Sequence, residues 1–280
     1  MTAPRIGVVL VTHNSSRWIP STLESIGAQT VQPTKVLIVD DHSNDETRSL
    51  LDRWANSASS TSVTVQVMTS TATDQHAFTR IARNFAQGVR AMQDVDLVAL
   101  SDHDDVWHRD RLEVQASHMR EASSLFLASN GLIRDGNRTL FEAFDVPQGV
   151  GDWTPRHLLR HVLRHSVATG SASMLRPSVL TKSPRFVPPQ GWLHDRWWSI
   201  LAAAQSGLRV SFEPVIHYRL SADQAVGLSR GRQQKSGFRR VRSIGGKDLY
   251  KLASLHSLRN EAAPELRAEF SWGRLLKTLV

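Results

Sequence analysis

The sequence predicts an α/β protein on a largely parallel sheet, and three observations carry that prediction. Short apolar, β-branched runs of strand length recur: "RIGVVLVTH", "KVLIVDDHS", "SVTVQVMTS" and "VDLVALSD". Stretches of helical spacing separate them, the alternation that builds parallel sheets with helices on their faces. Each of the first, second and fourth runs ends in polar residues, as expected where a ligand sits beyond the carboxyl ends of the strands.

Taken in order, the first run ends at Thr12, His13 and Asn14. "SSRWIPSTLESIGAQ" then brings Trp18, Ile19, Leu23 and Ile26 to one side of a helix. The second run delivers Asp40 and Asp41, and "NDETRSLLDRWANS" opens a second helix with an Asn or Asp cap. After the third run, "FTRIARNFAQGVRAM" is helical, and the fourth run ends in Asp102, Asp104 and Asp105. Three polar clusters are thus expected along one sheet edge.

Beyond residue 113 the pattern loosens. "RHLLRHVLRHS" sets His157, His161 and His165 on one helical stripe beside Arg156, Arg160 and Arg164, a basic helix face rather than a metal site. "TGSASMLRPSVL" has the small residues of a strand or turn passing close to a ligand. "GWLHDRWWSILAAAQSG" starts an apolar helix at His194 and Asp195, and "LRVSFEPVIHYRLSADQAVG" follows as a strand and polar loop. "KDLYKLASLHSLRNEAA" and "PELRAEFSWGRLLKTLV" read as two amphipathic helices, the second starting at Pro264 and both packing on the main domain.

The chain has 280 residues, 40% of them hydrophobic, enough for a full-sized core. No apolar run is long enough to span a membrane, and the N-terminus lacks the pattern of a signal peptide. With no cysteine, any metal must sit on oxygen or imidazole, and a cytoplasmic location is expected. The net charge of +8 concentrates in "LSRGRQQKSGFRRVRSIGGKDLYK", which suits an anionic partner: nucleic acid, acidic lipid or a phosphate-bearing substrate.

Asp102, Asp104 and Asp105 crowd into four positions of "LSDHDDVWHRDRL". Carboxylates this close repel one another unless a cation compensates them, and magnesium or manganese takes one or two carboxylates plus phosphate and water.

"VVLVTHN", "VLIVDDHSNDET", "LSDHDDVWHRDRL" and "LHDRWW", followed by "YRLSADQAVG", together resemble a family-two glycosyltransferase of the GT-A fold. The form is most similar to bacterial rhamnosyltransferase-like, polysaccharide-building members. The resemblance implies a Rossmann-like nucleotide-binding sheet with flanking helices and a C-terminal helical extension. It divides the chain into a catalytic domain over residues 1–228, with a nucleotide-sugar half to 112 and an acceptor half after it, and a basic linker with helices over 229–280.

The same resemblance implies an inverting, metal-dependent transfer of a hexosyl or deoxyhexosyl unit from a nucleoside-diphosphate sugar, UDP- or dTDP-linked, to a hydroxyl of a glycan or lipid-linked acceptor. Thr12, Asn14 and Asp41 would border the nucleotide, and Arg83 or Asn84 would reach the donor. Asp104 would bind Mn2+ or Mg2+, with Asp102 closer to the ribose or a metal-bound water, and Arg219 would contact phosphate. Asp195 would be the catalytic base, with His194 orienting it or the diphosphate. Trp197, Trp198 and Trp107, with Trp192, would line a sugar-stacking floor for the acceptor.

The pattern departs from its relatives at Ser221, where a histidine is common, at Asp223 and Gln224, and at His103. Residues 229–251 would meet an anionic membrane at its inner face. The competing reading is a basic nucleic-acid- or membrane-binding protein with a degenerate site, with nucleic acid disfavoured by the intact aspartates.

Overall fold

A computed structural model describes residues 3–58, 62–134, 138–220 and 246–278. Its first half follows the predicted alternation: β1 (Ile6–Thr12), α1 (Ile19–Gly27), β2 (Lys35–Asp40), α2 (Thr47–Ala58), β3 (Thr64–Thr69), α3 (Ala77–Arg90) and β4 (Leu97–Asp102). These four strands are parallel neighbours in the order β3, β2, β1, β4. Strands β1, β2 and β4 are buried almost end to end because both sheet faces are covered. Val9 and Val11 of β1 pack with Phe85 and Val89 of α3, while Val8 and Leu10 point the other way onto Ile19, Leu23 and Ile26 of α1. Trp18 lies just outside α1 and does not join that apolar side.

The second half extends the same sheet. It contains β5 (Val106–Trp107), α4 (Arg111–His118), β6 (Phe126–Ile133), α5 (Leu140–Ala143), α6 (Pro155–Val162), β7 (Ser173–Leu175), α7 (Pro177–Leu180), α8 (His194–Ala204) and β8 (Leu208–Tyr218). Short β7 runs antiparallel between β4 and β6, so β6 and its neighbour β8 run parallel to β1. The eight-stranded sheet therefore crosses the boundary expected at residue 112 and turns most of its carboxyl ends to one edge.

Strand β6 escaped the sequence reading because polar Ser129 and Asn130 interrupt its apolar run. Both are buried and bonded: Gln115 Nε2 donates to Ser129 Oγ at 3.1 Å, and Asn130 Oδ1 accepts from the Phe141 amide at 3.0 Å.

At the C-terminus, α9 (Gly246–His256) forms as expected, but the second helix is broken. A 3-10 helix spans Pro264–Phe270, Ser271 is extended, and α10 (Trp272–Leu276) follows. Phe270 and Leu275 are both buried, and five residues do not bring two side chains to one α-helical face. Leu252, Leu255, Leu258, Leu266, Phe270 and Leu275 join the core that holds α3, α6 and α8, so the extension packs on the sheet domain. Most of the basic block, with Ser221, Asp223 and Gln224, lies outside the described residues. Lys247 and Lys251 are exposed on α9.

Candidate active site

A cleft of about 720 Å3 opens at the carboxyl edge of β1, β2 and β4. The polar strand ends meet there as the sequence predicts: Thr12 and Asn14, Asp41, and Asp102 with Asp104 all line it. Gly170, His194, Asp195 and Arg196 line it too.

On the β1–β2 side, two loops are bonded to each other. Asn14 adopts a left-handed φ of 44°, a conformation that asparagine tolerates. Its Oδ1 accepts from the Asn44 amide at 2.8 Å, and its own amide donates to Ser43 Oγ at 2.9 Å. Asp40 supports this loop by accepting from Ser43 Oγ at 2.5 Å. The Ser15 amide donates to Thr47 Oγ1 at 2.7 Å and the Ser16 amide to Asp45 at 3.1 Å. Asp41 is held by Arg80, whose Nε donates to Oδ2 at 2.6 Å, while its buried Oδ1 makes no hydrogen bond within the protein. That oxygen is an acceptor held ready for a ligand N–H or O–H.

The aspartate loop is organised from behind by Arg111. Its guanidinium is fully buried, donates to the Leu100 carbonyl at 2.8 Å and to Gln115 at 3.0 Å, and stacks 3.7 Å from the Trp107 ring. Burial lowers its pKa to about 9, against the pull of Asp105 and Asp102. Burial likewise pushes the Asp102 carboxyl well above the ordinary carboxylate range, and the charges of Asp104, Asp105 and Asp195 push the same way. Asp105 rises to about 7, chiefly by burial and then by Asp104. It caps no helix: its Oδ1 accepts from the Arg219 amide at 3.0 Å, tying the loop to the end of β8.

Among the described residues no three His, Asp or Glu side chains gather into a ready-made metal cage. Two hard carboxylates, Asp102 and Asp104, do face the cleft. The donor set fits magnesium or manganese, which complete their shells with phosphate and water.

Asp195 sits in the first turn of α8. Its Oδ1 accepts from the Arg196 amide at 2.6 Å, and its Oδ2 reaches across to the Gly170 amide at 3.0 Å. Burial raises its pKa to about 6 even though both amides and the Arg196 charge oppose the rise. His194 stacks face to face on Phe85, with centroids 3.8 Å apart, and burial lowers its pKa to about 3, so the ring is neutral. A methyl group at Gly170 would lie 2.5 Å from His194 Nε2, so this close approach requires glycine.

Five residues expected at the site do not line the cleft. Trp197 and Trp198 are fully buried, with indole N–H groups donating to the Arg185 and Phe186 carbonyls, each at 2.7 Å. Trp107 is buried against Arg111 and donates to Ser101 Oγ at 3.2 Å. None of these three lines the cleft; each fills space behind it, where an apolar ring is most stabilising. Arg83 pairs outward with Asp74 at 3.1 Å, and one helical turn earlier Arg80 takes the cleft position. Arg219 turns its guanidinium to Ser21 Oγ at 2.8 Å and to the Trp18 ring, and does not line the cleft. Aromatic lining comes instead from Trp18, Phe144 and Tyr218, and cationic lining from Arg17, Arg80 and Arg196. The signal for Trp18 and Arg17 was their place directly after "THNSS", in the loop that leaves β1.

The histidine stripe of α6 is an aromatic ladder: His157 stacks on Trp153 at 4.0 Å and His161 on His165 at 4.8 Å.

Fold and cleft together define an α/β protein with an acid-lined site at a parallel sheet edge. The chain matches the model of glycosyl transferase family 2 over residues 7–182 and belongs to that family. Over 125 residues it is 28% identical to TuaG of Bacillus subtilis, named as a teichuronic acid biosynthesis glycosyltransferase; the match covers 44% of this chain and 45% of that protein. The chain has the GT-A fold. It superposes on S. aureus TarS in complex with UDP-GlcNAc with a TM-score of 0.60 and 17% identity, over 97% of this chain and 71% of that one. The mannosyltransferase PcManGT of Pyrobaculum calidifontis, in complex with GDP-Man and Mn2+, gives 0.54 and 16%, over 99% and 73%. No helix among the described residues is long and apolar enough to cross a membrane.

Proposed function

We propose that the protein is an inverting, metal-dependent glycosyltransferase that moves a sugar from a nucleoside-diphosphate donor to an acceptor hydroxyl in cell-surface polysaccharide synthesis. The observation that carries this reading is the gathering of Asp102, Asp104 and Asp195 on one cleft, with the Asp195 charge near enough to act on Asp102. Asp41 Oδ1 accepts from the base or ribose, with Thr12 and Asn14 bordering it. Arg17, in the loop after β1, and Arg80, bonded to Asp41, are cations that line the same cleft and suit the diphosphate.

Asp102 and Asp104 would hold magnesium or manganese. Such an ion, when bound, would neutralise the charge that grows on the departing diphosphate. Asp195 removes the proton from the acceptor hydroxyl as its oxygen attacks the anomeric carbon from the side opposite the diphosphate, which inverts that centre. Two amides fix the carboxylate, and its raised pKa makes it a stronger base than an exposed aspartate.

A lipid-linked acceptor fits exposed Leu249 and Tyr250 beside Lys247 and Lys251 on α9, an apolar and basic face suited to an anionic membrane surface. The intact acid cluster disfavours a binding protein with a relic site.

A melting scan with UDP, dTDP, GDP and CDP, each with and without manganese, tests the reading. A nucleotide at about 100 times its Kd adds roughly 2.7 kcal/mol of stability. One nucleotide is expected to raise the Tm only with manganese present; a folded sample that responds to none would sink the proposal.

A further inference from the structure

Beside the candidate active cleft lies a second one of about 400 Å3, between α6 and the C-terminal helices. Arg160, Arg164, Arg274 and Lys277 line it against one carboxylate, Glu269. Glu269 is only 4% exposed, and Arg160 closes a two-pronged fork on it, Nε to Oε2 and a terminal nitrogen to Oε1, each at 3.0 Å. One such fork already satisfies a carboxylate and balances its charge. Arg274 and, at 3.7 Å, Arg156 nevertheless reach the same group, and Arg164 and Lys277 add two further charges. Cations that outnumber the acid in this way repel one another until an anion joins them.

The two clefts share a wall. Arg164 lines the basic one and Ser166, two residues on, lines the active one. Arg196, adjacent to Asp195, donates to the Arg164 carbonyl at 3.2 Å, and the Arg164 side chain donates to the Lys277 carbonyl at 3.1 Å.

We infer that the basic cleft is a subsite for an anionic group of the acceptor, a phosphate or a carboxylate, which it grips while the acceptor hydroxyl is presented to Asp195. The inference rests on the sugar-transfer reading. Neither an uncharged acceptor nor the donor diphosphate, bound among Arg17, Arg80 and the aspartates, would use these cations.

Calorimetric titration of the full chain with inorganic tripolyphosphate, and in parallel with triglutamate, tests it in metal-free buffer of low ionic strength. The double variant Arg164→Gln/Lys277→Gln leaves every partner of Glu269 in place. It is expected to bind the preferred probe about tenfold more weakly, as two exposed cations together contribute on the order of 1.4 kcal/mol. Arg48→Gln, which removes an exposed cation on α2 that lines neither cleft, should bind it as the unaltered protein does. Stronger binding of tripolyphosphate identifies a phosphate ligand, and of triglutamate a carboxylate. If the double variant melts early, Lys277→Gln alone gives the same comparison with about a threefold loss.

Equal binding by the unaltered and double-variant proteins, or an equal loss in Arg48→Gln, would overturn the subsite. The nucleotide-dependent melting shift is read on the same samples and should be unchanged in the double variant. If no nucleotide shifts even the unaltered protein, the transfer reading falls separately, and anion binding that persists would overturn the acceptor assignment.

Discussion

The active cleft gathers aspartates around a buried arginine, whereas the C-terminal cleft gathers arginines around a buried glutamate. The two differ in how far water reaches. Arg111 is wholly enclosed, while Arg156, Arg160 and Arg274, the partners of Glu269, are 52%, 52% and 45% exposed. Charges in the first cluster act through a poorly screening interior and shift one another's pKa values strongly; those in the second are screened by solvent and salt. The first arrangement therefore suits a metal ion and proton transfer at short range. The second suits reversible, salt-sensitive capture of an anion.

The largest expected effect separates the chemistry from its scaffold. Asp195→Asn should lower kcat by roughly 10²-fold to 10⁴-fold while leaving the nucleotide-dependent Tm shift in place. Loss of both together would mean that Asp195 is structural. Next, Arg111→Met strips the countercharge from behind the aspartates and should cost about 3 kcal/mol in denaturant unfolding. An unchanged midpoint would show that the aspartates need no buried partner.

Glu269→Gln should cost less, about 2 kcal/mol, because its partners are half-exposed. The loss should shrink in 1 M salt, which shortens the reach of the repulsion left behind; a loss indifferent to salt would erase the contrast between the clusters. The mildest prediction concerns pH. With its pKa raised to about 6, Asp195 is a usable base above that value and a protonated acid below it. Hence kcat/KM should fall about tenfold per pH unit below roughly 6 and level off above it. A limb near pH 4 would mean that burial does not raise this carboxyl.

Strand ends were legible in the sequence because alternation of apolar runs with helical spacing fixes which residues emerge at the ligand edge. Thr12, Asn14, Asp41, Asp102 and Asp104 accordingly line one cleft, which His194 and Asp195 reach from the start of α8. Side-chain direction was less legible. Arg83 and Arg80 are one turn apart on the same helix, and only packing against the sheet decides which reaches Asp41. The tryptophans misled for a related reason: an aromatic ring stacks on a sugar or fills a core equally well, and the indole bonds to Arg185, Phe186 and Ser101 that fix them inside follow no helical or strand spacing. Arg111 was invisible as a countercharge because only the folded sheet buries it beside Asp102 and Asp105.

The loops after β1 and β2 are joined by bonds from Asn14, Ser15 and Ser16 to Ser43, Asn44, Asp45 and Thr47. Their ordering is completed when the protein folds, so a nucleotide bound at Asp41 as proposed would meet a rigid rim and lose little affinity to loop entropy. Differences in affinity among nucleotides should then report direct contacts with the base and ribose. This half of the cleft is a fixed gauge against which changes made on the Asp195 side can be measured.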